Sequence, residues 1–282
     1  MTETVAALRR PNRRESFACE RTVDLARTVD IGCLPRMMTS PHAHPFYTCA
    51  LHPAHGGRDW RACGLLHYSL VRIDHVSYAV PNSCIADTVQ RIGSAVGGRF
   101  IDGGRHPRYG TRNFTMPLAD GCYIEVVSPL DHPAVTAKTF GQAVAKVATE
   151  GGGWLGWVVA VDDIEPITSR LGRVASKGSR VRSDGVVLEW QQIGVTDLLH
   201  DPQLPFFVEW GGSPSDHPSN PAPSGIAIEA LEMCGDAERI NEWLGAPIET
   251  ALGGIKVIWV DGDEPGLVAV HFSTPSGTVR ID

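Results

Sequence analysis

His75 and Glu125 are the side chains whose type and setting best suit chemistry on a small molecule. His75 lies in the run Ile73-Asp74-His75-Val76-Ser77-Tyr78-Ala79-Val80, and Glu125 in Cys122-Tyr123-Ile124-Glu125-Val126-Val127. Successive side chains of a strand point to opposite faces. Val76, Tyr78 and Val80 then share one face, as do Ile124 and Val126, and both faces suit a packed helix. His75, Ser77, Tyr123 and Glu125 take the other side, so neighbouring strands would bring an imidazole and a carboxylate together on a concave surface. A pair of this kind suits general acid–base work.

Two further groups surround that pair. The stretch Gly103-Gly104-Arg105-His106-Pro107-Arg108-Tyr109-Gly110 leads into Thr111-Arg112-Asn113. Arginine forks suit a carboxylate or phosphate, and glycines let a ligand approach the backbone. Arg105, His106, Arg112 and Asn113 are therefore candidate ligand-binding residues, against the competing reading of a solvated connecting loop. No Gly-Lys-Ser/Thr follows, so the loop is not of the Walker type. Tyr123, Trp190, Phe207 and Trp210 would make an apolar wall, with core packing as the competing use. Tyr123 and Phe207 share parity with Glu125 and Glu209. The chain has no nucleophile elbow, dinucleotide fingerprint or HExxH, and Asp162-Asp163 reads as a helix cap.

The elements that must position these residues repeat. After the His75 strand, Ile85, Val89, Ile92 and Val96 form a helical stripe ended by Gly97-Gly98. A short strand at Arg99-Phe100-Ile101, a second from Thr111 to Pro117 and the Glu125 strand complete a βαβββ unit. A connector with a short helix follows. The second unit has a strand from Leu155, with Trp157, Val159 and Val161 on one face and Gly156, Val158 and Ala160 on the other. A helix carries Ile164, Ile167, Leu171 and Val174, and a hairpin runs from Val181 through Asp184-Gly185 to Gln191. Pro205-Phe206-Phe207-Val208-Glu209-Trp210 closes the unit. Overlaying the units sets Gly156 against His75 and Glu209 against Glu125. After a Pro/Ser/Gly/Asn linker, a shorter third unit occupies residues 225–282. One such unit exposes a sheet face it cannot cover alone, so pairing is expected.

Composition narrows the partners. The net charge of −7 does not favour nucleic acid. No apolar run approaches the ~20 residues of a membrane span, and no secretory signal is visible. Seven cysteines without a CxxC pair suit a reduced, cytoplasmic protein. Residues 1–70 carry nine Arg, no Lys and six acidic residues, with scattered Pro, His and Cys. Their spacing does not suit a zinc module. An irregular or disordered extension, or an over-long gene start with the true one at Met37, Met38 or Val71, is the expectation there.

Tandem βαβββ units with His in the first strand and Glu in the fourth resemble the vicinal oxygen chelate superfamily, which includes glyoxalase I, bleomycin-resistance proteins and extradiol dioxygenases. The bacterial glyoxalase-like domain group is the nearest in style, through Ile73-Asp74-His75-Val76, Gly103-Gly104-Arg105-His106-Pro107, Tyr123-Ile124-Glu125 and Pro205-Phe206-Phe207-Val208-Glu209-Trp210. The resemblance implies an α+β fold of paired βαβββ modules curved around a cleft, with residues 71–212 as the glyoxalase-like domain and 225–282 packed on it. It also implies a divalent metal, Zn²⁺, Mn²⁺ or Fe²⁺, held by His75, Glu125 and Glu209, while Gly156 stands at the remaining ligand position. Two functions follow as expectations. One is a metal-assisted lyase, isomerase or dioxygenase acting on a small oxygenated metabolite, with Glu125 or Glu209 moving a proton. The other is a metal-free binding protein holding an anionic, partly apolar ligand between Arg105, Arg112 and the aromatics. A small-molecule ligand is the expected partner, and a homodimer stays open.

Overall fold

A computed structural model of the chain describes residues 71–182, 184–220 and 225–282. The expectations for residues 1–70, including the extension and the alternative starts, lie outside the described residues.

The first unit comprises β1 (Arg72–Ala79), α1 (Ile85–Val96), β2 (Ile101–His106), β3 (Thr111–Pro117) and β4 (Tyr123–Pro129). The apolar stripe of α1 buries Ile85, Ile92 and Val96, and Gly97 ends the helix in the left-handed conformation at φ 77°. α2 (Ala134–Ala137) and α3 (Thr139–Thr149) connect to the second unit: β5 (Gly153–Ala160), α4 (Glu165–Leu171), β6 (Ser176–Val181), β7 (Val187–Ile193) and β8 (Phe206–Trp210). Within each unit the first strand runs parallel to the last, and the two first strands, β1 and β5, pair antiparallel. A single backbone pairing, Arg105 with Val181, joins β2 to β6 and closes the eight strands into a barrel. The fold is thus α+β, with two βαβββ units wrapped around one hollow.

The third unit is β9 (Ala227–Cys234), α5 (Ala237–Leu244), α6 (Ile248–Ala251), β10 (Lys256–Trp259), β11 (Gly266–Thr274) and β12 (Gly277–Ile281). It repeats the element order but not the strand order, since its sheet runs β10-β9-β11-β12. Polar anchors tie it to the barrel: Trp154 Nε1 donates to Ile281 O at 2.9 Å, and Trp243 Nε1 to Pro205 O at 2.7 Å. Val76, Ile124, Trp157, Val159 and Phe207 join Leu231, Val270 and Phe272 in one core outside the barrel wall. β1, β4 and β5 are consequently buried on both faces. Among the described residues, no helix is long and apolar enough to cross a membrane.

Candidate functional site

The barrel interior holds a cavity lined by His75, His106, Asn113, Tyr123, Glu125 and Arg180 at its polar part and by Phe140, Trp190, Phe206 and Trp210 among its apolar walls. The volume open to the centre of a water molecule is about 50 Å³. A water needs about 10–15 Å³ on this measure. The resting cavity therefore accepts a small molecule, or the small head of a larger one.

His75 owes its orientation to a bulge. The β1–β5 register shifts between Ile73 and His75, which leaves Asp74 as the extra residue. Ile73 packs outward into the core, and the Asp74 carboxylate lies beside His75, 2.7 Å from its Nδ1. A carboxylate only accepts, so Nδ1 carries a hydrogen, and Nε2 is the nitrogen that holds the lone pair in the neutral ring. That Nε2 is 3.9 Å from Glu125 Oε2, and the ring stacks on Tyr123 at 4.4 Å between centroids. Asp74 is 1% exposed and also accepts from Trp210 Nε1 at 2.9 Å and His217 Nε2 at 3.0 Å. His217 Nδ1 accepts from Ser219 N, which leaves Nε2 as the donor. Burial pushes the Asp74 carboxyl up, but its bonds to His217 and His75 outweigh that and hold it well below the usual range.

Glu125 is equally constrained. Ser77 Oγ donates to its Oε2 at 2.7 Å, and Asn113 Nδ2 to its Oε1 at 2.6 Å. Burial raises its pKa, yet His75, His106 and these two donors together bring it below the ordinary value. Glu125 is accordingly ionised at neutral pH. Asn113 Oδ1 accepts from Arg180 Nη1 at 2.9 Å, so a hydrogen-bonded row runs from Arg180 through Asn113 to Glu125 and Ser77. Gly103 serves this row. Its carbonyl accepts from Arg180 at 2.8 Å, and a Cβ there would collide with the Asn113 amide and the Arg180 guanidinium. Its missing side chain makes room for protein rather than for a ligand.

His106 is 5% exposed and sits between these groups. Its Nδ1 lies 3.1 Å from the hydroxyl of the fully buried Thr111, and its Nε2 has no partner among the described residues. Burial is the main force bringing its pKa down to about 4; Glu125 opposes the shift, while Arg180 and His75 add to it. The folded protein keeps His106 neutral, whereas the unfolded chain protonates it near pH 6.5. Unfolding thus takes up a proton between these values, and stability falls as pH drops from about 6.5 towards 4. At 1.36 kcal/mol per unit the loss approaches about 3 kcal/mol. Thermal melts of wild type and H106Q from pH 7 to 4.5 should show the slope in wild type and a much flatter profile in the variant. Equal slopes would remove His106 as the cause.

The sequence expectations fare unequally in space. His75, His106, Asn113, Tyr123, Glu125 and Trp210 line one hollow. Glu209 does not: its Oε2 accepts from Ile164 N at 2.8 Å, at the start of α4 on the outer side of the wall. Phe207 also points outward, into the core against Trp243. Phe206, Val208 and Trp210 line the cavity instead. The cause is a one-residue difference in register, which reverses every side chain of a strand. His75 is aligned with Tyr123, and Val158 with Phe206, so the counterparts of His75 and Glu125 in the second unit are Val158 and Val208. Gly156 lies opposite Ser77 rather than opposite His75, under the Leu198 side chain. Arg105 is exposed, while Arg112 leans over Phe114 at 4.9 Å and lies 3.5 Å from Asp102. Neither arginine reaches Glu125, and Arg180 from the second unit holds the inner position.

A divalent ion shared by both units finds His75 and Glu125 on one side and two valines on the other. Both Glu125 oxygens already accept hydrogen bonds, and the second unit offers no ligating side chain at the counterpart positions. Among the described residues, no three His, Cys, Asp or Glu side chains converge as an ion would require. The donor set does not fit the expected metal.

Residues 73–248, more than half of the chain, match the model of a family described as "Glyoxalase-like domain". No curated protein matches the sequence. Solved structures similar to it include a hypothetical protein from Staphylococcus aureus, 16% identical, covering 75% of this chain and 86% of that one with a TM-score of 0.49. Another is methylmalonyl-CoA epimerase from Mycobacterium tuberculosis, 16% identical, covering 54% and 95% with a TM-score of 0.36. A third is a single-residue variant of Streptomyces coelicolor methylmalonyl-CoA epimerase in complex with 2-nitronate-propionyl-CoA, 18% identical, covering 50% and 97% with a TM-score of 0.33.

Proposed function

Because the chain belongs to the glyoxalase-like domain family, we propose that its barrel takes up a small oxygenated metabolite, and that Glu125 and His75 move a proton on it. The observation that carries this reading is the 3.9 Å approach of His75 Nε2 to Glu125 Oε2 inside the barrel hollow, with Asp74 fixing the imidazole from behind. A carbon that faces the pair at about 3 Å from each is within reach of both. A proton beside a carbonyl passes to one base, and its bond pair moves onto the carbonyl oxygen as an enolate. The base so protonated returns the proton to the former carbonyl carbon, while the other base carries the proton of a neighbouring substrate hydroxyl across to the enolate oxygen. Charge balances at each step, and the outcome is the isomerisation of a hydroxy carbonyl compound; without that hydroxyl the proton returns to its own carbon and the outcome is exchange with solvent. On this reading residues 71–212 hold the site, residues 225–282 brace its outer wall, and the protein works in the cytoplasm.

Val158 and Val208 at the counterpart positions favour a second reading, a metal-free binding protein that holds the same molecule without reacting. One experiment separates these. Full-length protein dialysed against EDTA is incubated in D₂O with small 2-oxo acids, hydroxy ketones and aldehydes, and C–H signals are followed by NMR. Loss of an α-proton signal supports proton transfer. A raised melting temperature without exchange supports the binding protein, since tight binding stabilises by mass action. Exchange that appears only after Zn²⁺, Mn²⁺ or Fe²⁺ is added restores the metal-assisted reading.

A further inference from the structure

Arg180 is 4% exposed and yet makes no ion pair among the described residues. Its Nη1 donates to Gly103 O and Asn113 Oδ1, both neutral, and among the described residues no carboxylate oxygen lies within 4.0 Å of the guanidinium. A buried cation without an anion is costly, and arginine does not escape the cost by losing its proton. The same cavity is lined by His106, whose buried Nε2 has no partner among the described residues. The tautomer of that ring follows from Thr111. Its hydroxyl is fully buried, and His106 Nδ1 is its one hydrogen-bond partner among the described residues. The hydroxyl proton therefore goes to Nδ1, and Nε2 carries a hydrogen with nothing to receive it. A full positive charge that meets only neutral acceptors and an N–H with no acceptor among the described residues thus line one cavity.

We propose that Arg180 and His106 form an anion subsite for the carboxylate of a small organic acid, held with the carbon that bears its labile proton towards His75 and Glu125. The subsite deepens the function proposed above and rests on it for the choice of a small oxygenated ligand. A carboxylate suits better than a phosphate on two counts. Its single charge matches the single charge of Arg180, whereas a dianion would meet the ionised Glu125, which Asn113 links to the same guanidinium. The cavity of about 50 Å³ also favours the smaller, planar group. Arginine presents such a group with two parallel N–H donors. An enolate dianion formed next to that carboxylate would have the same positive charge close by.

The test uses the full-length protein with pyruvate, 2-oxobutanoate and lactate, each compared with its methyl ester, by thermal shift and saturation-transfer NMR. The expected result is that one or more acids bind and raise the melting temperature, while the esters bind at least tenfold more weakly. R180M should lose acid binding at least tenfold, and R180K, which keeps the charge but not the fork, should lie between. The acid–ester comparison in wild type stands even if R180M fails to fold. Esters binding as well as acids, a folded R180M binding acids like wild type, or none of the acids binding at millimolar concentration would overturn the subsite. Arg180-dependent acid binding without any deuterium exchange keeps the subsite and removes the proton-transfer reading. Deuterium exchange in wild type, with no acid binding better than its ester, does the reverse.

Discussion

Asp74→Ala should destabilise the protein by about 3–5 kcal/mol, the range for breaking a buried charged network by removing one partner. Three donors converge on this carboxylate: Trp210 Nε1, His217 Nε2 and His75 Nδ1. They come from β8, from the segment after it and from β1. Alanine leaves all three without an acceptor in a place where water has little access, since Asp74 is 1% exposed. For a domain of this size the melting temperature should fall by about 10 °C, at roughly 2–4 °C per kcal/mol. The sign of the pH dependence follows from the carboxyl being held below its usual range. The stabilisation is complete above the unfolded value near 4 and fades as pH falls below it, so the wild-type advantage over the alanine variant narrows in acid. Asp74→Asn probes the same hub differently. Its side-chain oxygen can still accept from Trp210 and His217, but its amide N–H₂ faces His75 and forces Nδ1 to accept. Nε2 then carries the hydrogen and can no longer take a proton. The asparagine variant should keep most of the stability and lose the exchange activity. A D74A protein melting within 2 °C of wild type would show that the hub contributes little.

The parts of the molecule that could be read in advance are those where one face is apolar and the other is not. In β1 and β4 the alternation of Val76, Tyr78, Ile124 and Val126 with His75, Ser77, Tyr123 and Glu125 carries its own orientation, so the inner pair follows from parity. β8 has no such alternation. Phe206, Phe207 and Val208 are all apolar and all buried, because both sides of that strand are covered, and either face could have been the inner one. Glu209 then looked like a partner for Glu125 although it caps α4. Arg180 escaped notice for the opposite reason. β6 starts at Ser176, not at Val181, and reads Ser-Lys-Gly-Ser-Arg-Val, with the arginine inward and Val181 about half exposed. A strand that buries its charge and exposes its valine inverts the usual rule, and burying a charge is itself the mark of a site. The bulge at Asp74 and the altered strand order of the third unit depend on pairing across the sheet, which no local pattern carries. Asp74 and His217, 143 positions apart, meet only because of that pairing.

Glu125→Gln should reduce deuterium exchange by about 10²–10⁴-fold, the usual contribution of a positioned general base, while the fold survives. The amide has the shape of the carboxylate and can satisfy the same neighbours. Its oxygen can keep accepting from Asn113 Nδ2, and its N–H₂ can donate to Ser77 Oγ, which is acceptor as well as donor. Two charge-assisted bonds become neutral ones, a change of about 1–3 kcal/mol. What is lost is the basic oxygen beside His75 Nε2. His75 alone retains a lone pair, so a residual rate is expected, and H75N combined with E125Q should remove it. This pair of variants also separates the proton-transfer reading from a metal-assisted one. If Glu125 served an ion, EDTA treatment of wild type would cost as much activity as the glutamine substitution, and added Zn²⁺ or Mn²⁺ would recover the first but not the second. If Glu125 is itself the base, EDTA-treated wild type keeps its rate, and no ion helps E125Q. A folded E125Q protein that exchanges protons at more than a tenth of the wild-type rate would exclude Glu125 as the base and leave His75, with Asp74 behind it, as the group that moves the proton.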